Sequence, residues 1–284
     1  MSNTHDDIEI PMTYGTYLKV NELLKLQELQ SDPPMHDELL FISIHQAYEI
    51  WFKQILFEFD SALQRLELDD IFEAYRLIKR VTKIETLLVS QIHILETMTP
   101  RDFASFRSIL NPASGFQSVQ FRELEFVSGM KNPDVLKGIK LNEEERQRLE
   151  QRLENKSIRD ALYEALQRRG FDVEALDPYE ENSERREQVM NELFKIYDSP
   201  EDYFHLYNLC EALVEHDQNI LLWRFHHVRV VERLIGTKMG TGGSSGVRYL
   251  ESTTKKRAFP MLWEVRGMLK DQHHYGKARG ITKA

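Results

Sequence analysis

Three side chains in this sequence stand where they can do chemistry. On a 3.6-residue period His227 shares a helical face with Ile220, Trp223, Val230, Val231 and Leu234, so a titratable ring sits inside an apolar stripe. The glycine-rich loop Gly240-Thr241-Gly242-Gly243-Ser244-Ser245-Gly246 follows soon after and offers many backbone N–H groups. His45 follows Phe41 by four residues and precedes Tyr48 and Phe52 on an aromatic face of another long helix. Arg107 follows Phe103 by four, which puts a guanidinium beside an aromatic ring. A neutral imidazole can ligate a metal or exchange hydrogen bonds, and a guanidinium on an apolar wall can fork a carboxylate. Each has a plainer counterpart: a core histidine satisfied by the backbone, a solvated arginine, a flexible linker. His45 and Glu49 also share the i,i+4 spacing that can suit a metal, although Glu49 reads as solvent-facing or paired with Lys53.

The elements that must position these groups are helices. From about His36 to Leu68 the apolar pattern is helical for roughly nine turns, longer than the usual globular helix. Asp69-Asp70 offers a cap, and a second long helix is expected from Ile71 to about Met98. Two long helices with a tight connection form an antiparallel pair, which points to a bundle. Thr99-Pro100-Arg101-Asp102 reads as a capping box that starts the helix bearing Phe103 and Arg107. Asn111-Pro112-Ala113-Ser114-Gly115 breaks the chain, and Phe116 to Phe126 restarts a helix. Residues 141–198 crowd charges of both signs, as in Glu184-Arg185-Arg186-Glu187, and read as a solvent-exposed helical excursion without catalytic residues. Ser199-Pro200-Glu201-Asp202 repeats the capping logic and predicts a helix running on to Gly236. Near the N-terminus, Tyr14-Gly15-Thr16-Tyr17-Leu18 opens a short helix whose tyrosines favour packing within the chain. Residues 1–13 and 270–284 are expected to be flexible, and clear period-2 strands are absent. The expectation is therefore one all-α domain over residues 1–284: a bundle of long antiparallel helices enclosing a pocket, with a small charged helical excursion.

Composition narrows the class. The chain has 284 residues, enough to bury a sizeable core, and is 41% hydrophobic and 29% charged. A formal net charge of −9 argues against a nucleic-acid surface, which usually reads basic. No run of about 18 apolar residues predicts a membrane span. The single cysteine, Cys210, forbids an intrachain disulfide and falls among leucines at helical spacing, so it reads as a core residue. A cytoplasmic protein is expected. None of the ten histidines has a Glu three residues before it, which removes a di-iron bundle. A zinc site would want closely spaced His and Cys ligands. The glycine loop lacks the Gly-Lys-Ser/Thr ending of a P-loop and follows a helix instead of a strand.

Two histidines on aromatic or apolar faces of different long helices survive this sorting. An aromatic pocket closed by a helix-borne imidazole suits haem, which takes one proximal histidine and leaves its other face open to a gas. A second histidine on that open face would orient a substrate or bound oxygen. Arg224, Arg229 and Arg233, along the proximal helix, could pair with haem propionates. The composition admits haem without requiring it. A haem-based gas sensor or carrier, and a haem-free scaffold with core histidines, fit the same residues.

Five stretches decide further. Phe41-Ile42-Ser43-Ile44-His45-Gln46 with Glu49 and Trp51, Phe106-Arg107, Ser114-Gly115-Phe116-Gln117-Ser118 with Gln120-Phe121-Arg122, Leu222-Trp223-Arg224-Phe225 with His227, and Gly240 to Gly246 together resemble the tryptophan 2,3-dioxygenase family. The resemblance runs from about Tyr14 to Trp263 in the family's order and spacing. It implies an all-helical homotetramer that uses ferrous haem b. Its substrates would be L-tryptophan and O2, and its product N-formyl-L-kynurenine, the first step of the kynurenine pathway. Carried over, His227 would be the iron's proximal ligand, and Ser114 and Gly115 would border the haem edge. His45 would lie on the distal side and hydrogen-bond the indole N–H. Arg107 would fork the substrate carboxylate beside Phe103, Thr241 would contact its ammonium and carboxylate ends, and Phe41 would pack the indole. Tyr14, Tyr17 and Leu18 would come from a neighbouring subunit, the reverse of the packing expectation. Some members carry a tyrosine where Phe103 stands, so a hydroxyl contact to the carboxylate is missing here. Indole is so weak an acid that full transfer of its proton to imidazole would cost on the order of 10 kcal/mol or more at about 1.36 per pKa unit. His45 is therefore read as an orienting group.

Overall fold

The computed structural model of the chain describes residues 12–176, 184–236 and 247–269, except the side chains of 248 and 249. In chain order its α-helices are α1 (Tyr14–Leu18), α2 (Val20–Leu23), α3 (His36–Glu67), α4 (Ile71–Leu95), α5 (Pro100–Phe106), α6 (Val119–Ser128), α7 (Val135–Gly138), α8 (Glu143–Glu154), α9 (Ile158–Arg168), α10 (Glu184–Asp198), α11 (Phe204–Ile235), α12 (Val247–Thr253) and α13 (Pro260–Glu264). Among the described residues there is no strand, and the fold is all-α. No described helix is long and apolar enough to cross a membrane.

Local chemistry explains the main boundaries. The connection between α3 and α4 puts Asp69 in the left-handed region at φ 63°, and the Asp70 side chain accepts from the Glu73 N–H at the start of α4. Thr99 caps α5 by accepting from the Asp102 N–H, with Pro100 in the first turn where no N–H is needed. Gly129 ends α6 at φ 117°, and a Cβ there would meet Arg159 Cβ at 2.9 Å, so both backbone and neighbour require glycine.

Three long helices make the frame. The Tyr48 hydroxyl donates to the Leu88 carbonyl (2.8 Å) and Gln91 donates to the Ile44 carbonyl (3.1 Å), so α3 and α4 run antiparallel. Asn219 donates to the Thr82 carbonyl and His226 meets His93 further along, so α11 runs parallel to α4. α3 and α11 have 32 residues each, about 48 Å of helix at 1.5 Å per residue. Phe59, Leu66, Ile78, Val81 and Leu213 are fully buried where the three meet.

Two expectations change. The helix predicted from Ser199 begins at Phe204; residues 199–203 form a turn in which the Asp202 and Tyr203 N–H groups both reach the Ser199 carbonyl. The charged segment over 141–198 is also less peripheral than its composition implies. Leu162 and Leu166 of α9 and Leu193 of α10 are fully buried in the main core. From α8, Arg152 forks Asp60 of α3 and also reaches Glu123 of α6, which clips the segment to the bundle. The expected flexible ends lie outside the described residues except for 12 and 13.

Candidate active site

α3, α4, α5, α6 and α11 enclose a chamber of about 260 Å³. A buried water needs roughly 10–15 Å³, so the space is of ligand size. Phe41, Tyr48, Phe52, Phe103, Phe121 and Trp223 supply most of the aromatic wall. Phe41, Phe103 and the buried Phe106 form a cluster with ring centroids 5.8, 5.7 and 5.5 Å apart, which fixes the wall where α3 meets α5.

His45, on α3, has its Nδ1 2.7 Å from the Phe41 carbonyl oxygen. That oxygen only accepts, so Nδ1 carries the proton and Nε2 of the neutral ring keeps a lone pair. His45 is exposed to the open space of the chamber, yet loss of hydration among the surrounding walls lowers its pKa, and the Phe41 hydrogen bond and the Glu49 charge oppose this only in part. The ring is neutral at neutral pH.

His227, on α11, lines the same chamber. Burial, with a smaller contribution from the nearby His45, pushes its pKa down to about 4. Neither ring nitrogen has a hydrogen-bond partner among the described residues, while the Trp223 indole stacks on the ring at 5.0 Å and 23°. A neutral imidazole with an unengaged lone pair is a competent metal ligand. Among the described residues no group of three or more His, Cys, Asp or Glu side chains could hold a bare ion. A metal at His227 must therefore bring its other ligands with it, as a porphyrin does.

Arg107 follows the last residue of α5, half-buried, and lines the chamber with Phe103. Ser114 and Gly115 line it where the chain re-enters after its break. The Ser114 hydroxyl accepts from the Phe116 N–H and Gln117 reaches back to the Ser114 N–H, which makes this turn a rigid edge. Phe41, His45, Phe103, Arg107, Ser114, Gly115 and His227 thus share one chamber, although they come from four separate segments.

Other expectations fare differently. Thr241 lies outside the described residues. Tyr14, Tyr17 and Leu18 are absent from the chamber lining and lie on α1, which buries no residue. Their exposures of 79%, 71% and 45% overturn packing within the chain, because a short helix at the edge has no apolar neighbour to cover these rings.

The three arginines of α11 are engaged by the protein. Arg224 is buried and donates to Glu125 (2.6 Å) and to the carbonyls of Thr253 and Lys256, tying α11 to α6 and to the end of α12. Arg229 pairs with Glu232, and Arg233 reaches Glu96.

Sequence reasoning also missed Glu49 and Arg122. Glu49 lines the chamber and accepts from Gln120 Nε2 at 2.7 Å, which corrects its reading as solvent-facing or paired with Lys53. Arg122 joins Glu125 from its other side at 2.6 Å and lies over the Phe121 ring. The i,i+3 spacing of Arg122 and Glu125 is a local signal, whereas Gln120 and Glu49 lie 71 residues apart and leave no pattern in the sequence.

The family model described as Tryptophan 2,3-dioxygenase matches residues 1–195 and 181–269. A tryptophan 2,3-dioxygenase from a Nocardioides species is 44% identical over 263 residues, which is 91% of this chain and 95% of that protein. One from Herpetosiphon aurantiacus is 44% identical over 266 residues, 91% of this chain and 98% of its own. One from Bacillus thuringiensis subsp. konkukian is 40% identical over 272 residues, 93% and 95% of the two chains. The family model spans every described segment that contributes to the chamber, and the chain belongs to the tryptophan 2,3-dioxygenase family.

Proposed function

We propose that this chain is a haem-dependent dioxygenase that cleaves the C2–C3 bond of the L-tryptophan indole with O2 to give N-formyl-L-kynurenine. The observation that carries the reading is the meeting of His45, His227 and Arg107 on one aromatic-walled chamber. Haem fits the donor set: one neutral imidazole with a free lone pair, a largely aromatic wall, and, among the described residues, no group of three or more His, Cys, Asp or Glu side chains that could hold a bare ion. His227 holds the iron, Ser114 and Gly115 border the haem edge, and bound haem supplies the redox-active iron that activates dioxygen.

The remaining roles belong to side chains. L-tryptophan enters as a zwitterion, and stripping water from its charges costs several kcal/mol unless each finds a partner. Arg107 forks the carboxylate, and Thr241 contacts the ammonium and carboxylate ends. Because His45 Nδ1 donates to the Phe41 carbonyl, Nε2 accepts from the indole N–H and sets the ring's orientation. Phe41 and Phe103 pack the indole and exclude water, and Phe103 contributes no hydroxyl to the carboxylate. Tyr14, Tyr17 and Leu18 complete a neighbour's site in a homotetramer, a reading supported by their exposure on their own chain. The whole chain acts as one haem-binding domain in the cytosol, in keeping with a lone buried Cys210 whose thiol burial pushes up to about 12.

The test is product analysis under isotopically labelled dioxygen with ferrous, haem-loaded protein. N-formylkynurenine carrying two labelled oxygen atoms is expected, with no reductant consumed per turnover. Haem uptake and gas binding without product would instead make the protein a sensor or carrier, for which Arg107 in the chamber has no use.

A further inference from the structure

We infer that Trp223 is the positioning residue that fixes the plane of the His227 imidazole, by ring stacking in place of a hydrogen bond. The inference rests on the proposal that His227 is the haem ligand and extends it to how that ligand is oriented. A metal-bound histidine ordinarily donates its other ring N–H to a carbonyl or carboxylate, which fixes both tautomer and ring plane. His227 has no such partner among the described residues.

The comparison with His45 is internal to the molecule. Each histidine follows an aromatic residue by one helical turn: Phe41 lies 4.1 Å from His45 at 36°, and Trp223 lies 5.0 Å from His227 at 23°. His45 is held twice, by its aromatic neighbour and by the 2.7 Å contact of Nδ1 with the Phe41 carbonyl. Among the described residues His227 has only the stack.

Trp223 is suited to act alone because it is itself immobilised by rings. Phe121 of α6 lies 5.0 Å away at 37°, and Tyr48 of α3 meets the indole edge-on at 6.0 Å and 75°. The Tyr48 hydroxyl is anchored in turn to the Leu88 carbonyl of α4. The indole Nε1 is buried and reaches no acceptor in hydrogen-bond geometry, although Tyr48 is near enough to feel it. Packing, not a polar tether, therefore sets the indole plane. Rings from α3 and α6 bear on the α11 indole that stacks on the imidazole, so the orientation of His227 depends on how α3, α6 and α11 pack.

A stacked imidazole without a carboxylate partner stays a neutral ligand, because nothing pulls its remaining proton and raises its basicity. The experiment is resonance Raman spectroscopy of the ferrous holoenzyme, read at the iron–histidine stretching band. Wild type is expected to show one narrow band at the frequency of a neutral imidazole. Trp223→Leu is expected to broaden or split it and to weaken haem retention by about tenfold to a hundredfold, the usual scale for losing an orienting partner. Trp223→Phe keeps a stacking ring and is expected to restore a narrow band. A wild type without any iron–histidine band would defeat the assignment of His227 as ligand. A normal wild-type band left unchanged in position and width by Trp223→Leu would defeat the stacking role alone. Should Trp223→Leu fail to fold, a crystal structure of the wild-type holoenzyme decides: an acceptor within hydrogen-bond distance of the free His227 nitrogen overturns the inference.

Discussion

His45 can accept from an indole N–H only while its ring is neutral, because protonation turns Nε2 from acceptor to donor. Loss of hydration among the chamber walls, opposed by the Phe41 hydrogen bond and the Glu49 charge, lowers its pKa below the ordinary 6.5. The functional form thus prevails at neutral pH and is lost as pH falls through the folded pKa. The acid limb of kcat/KM for L-tryptophan is expected below pH 6.5, and a limb above that value would show that His45 is not the titrating acceptor. In the proposed site Arg107 carries a different load. Removing a charge-assisted fork in an apolar chamber costs on the order of 3 kcal/mol, about a hundredfold in KM. Arg107→Ala is expected to raise KM by that order with haem content retained; loss of haem instead would mean that Arg107 holds the cofactor side of the chamber.

At the scale of elements, α4 and α11 are joined through a buried polar chain. His216 Nδ1 lies 2.6 Å from Glu85 and its Nε2 lies 2.9 Å from the Ser128 hydroxyl of α6. Burial pulls the His216 pKa down, but the Glu85 carboxylate more than reverses this. Glu85 Oε2 has no hydrogen-bond partner among the described residues, so the carboxyl depends on the histidine to stay ionised. Burial raises the Glu85 pKa even with the histidine beside it, so His216→Leu is expected to leave a carboxyl that takes up a proton and to destabilise the protein by about 1–3 kcal/mol, the cost of an unsatisfied buried polar group. Urea unfolding with an unchanged midpoint would contradict that dependence. The helices themselves were legible because capping chemistry is local: Asp70 and Thr99 mark their starts correctly. Ser199-Pro200 failed for the same reason, since a cap signals one turn and cannot tell whether the axis continues. His45 and His227 were placed on their faces by helical period alone. The pairing of Arg224 with Glu125 was not legible, because the two lie 99 residues apart and pairing at that range leaves no pattern in sequence.

At the scale of the molecule, the exposed rings of α1 sit apart from a chamber that lacks them. Residue types in that stretch favoured packing, and only the family's pattern suggested a second subunit, since symmetry contacts are invisible in one chain. If α1 completes a neighbour's site, Tyr17→Ala and Arg107→Ala each impair a different part of it. Mixed oligomers then contain intact sites, built from the core of the first variant and α1 of the second. Co-assembly is expected to recover activity that neither variant has alone, and additive low activity would place α1 outside the site. All of this depends on one chamber that takes both haem and L-tryptophan. The absorption spectrum of the ferrous, haem-loaded protein with and without L-tryptophan tests that most directly. A Soret band that shifts on adding L-tryptophan, and shifts at much higher concentration in Arg107→Ala, is the expected result. A protein that takes up no haem, or whose spectrum ignores saturating L-tryptophan, would contradict it.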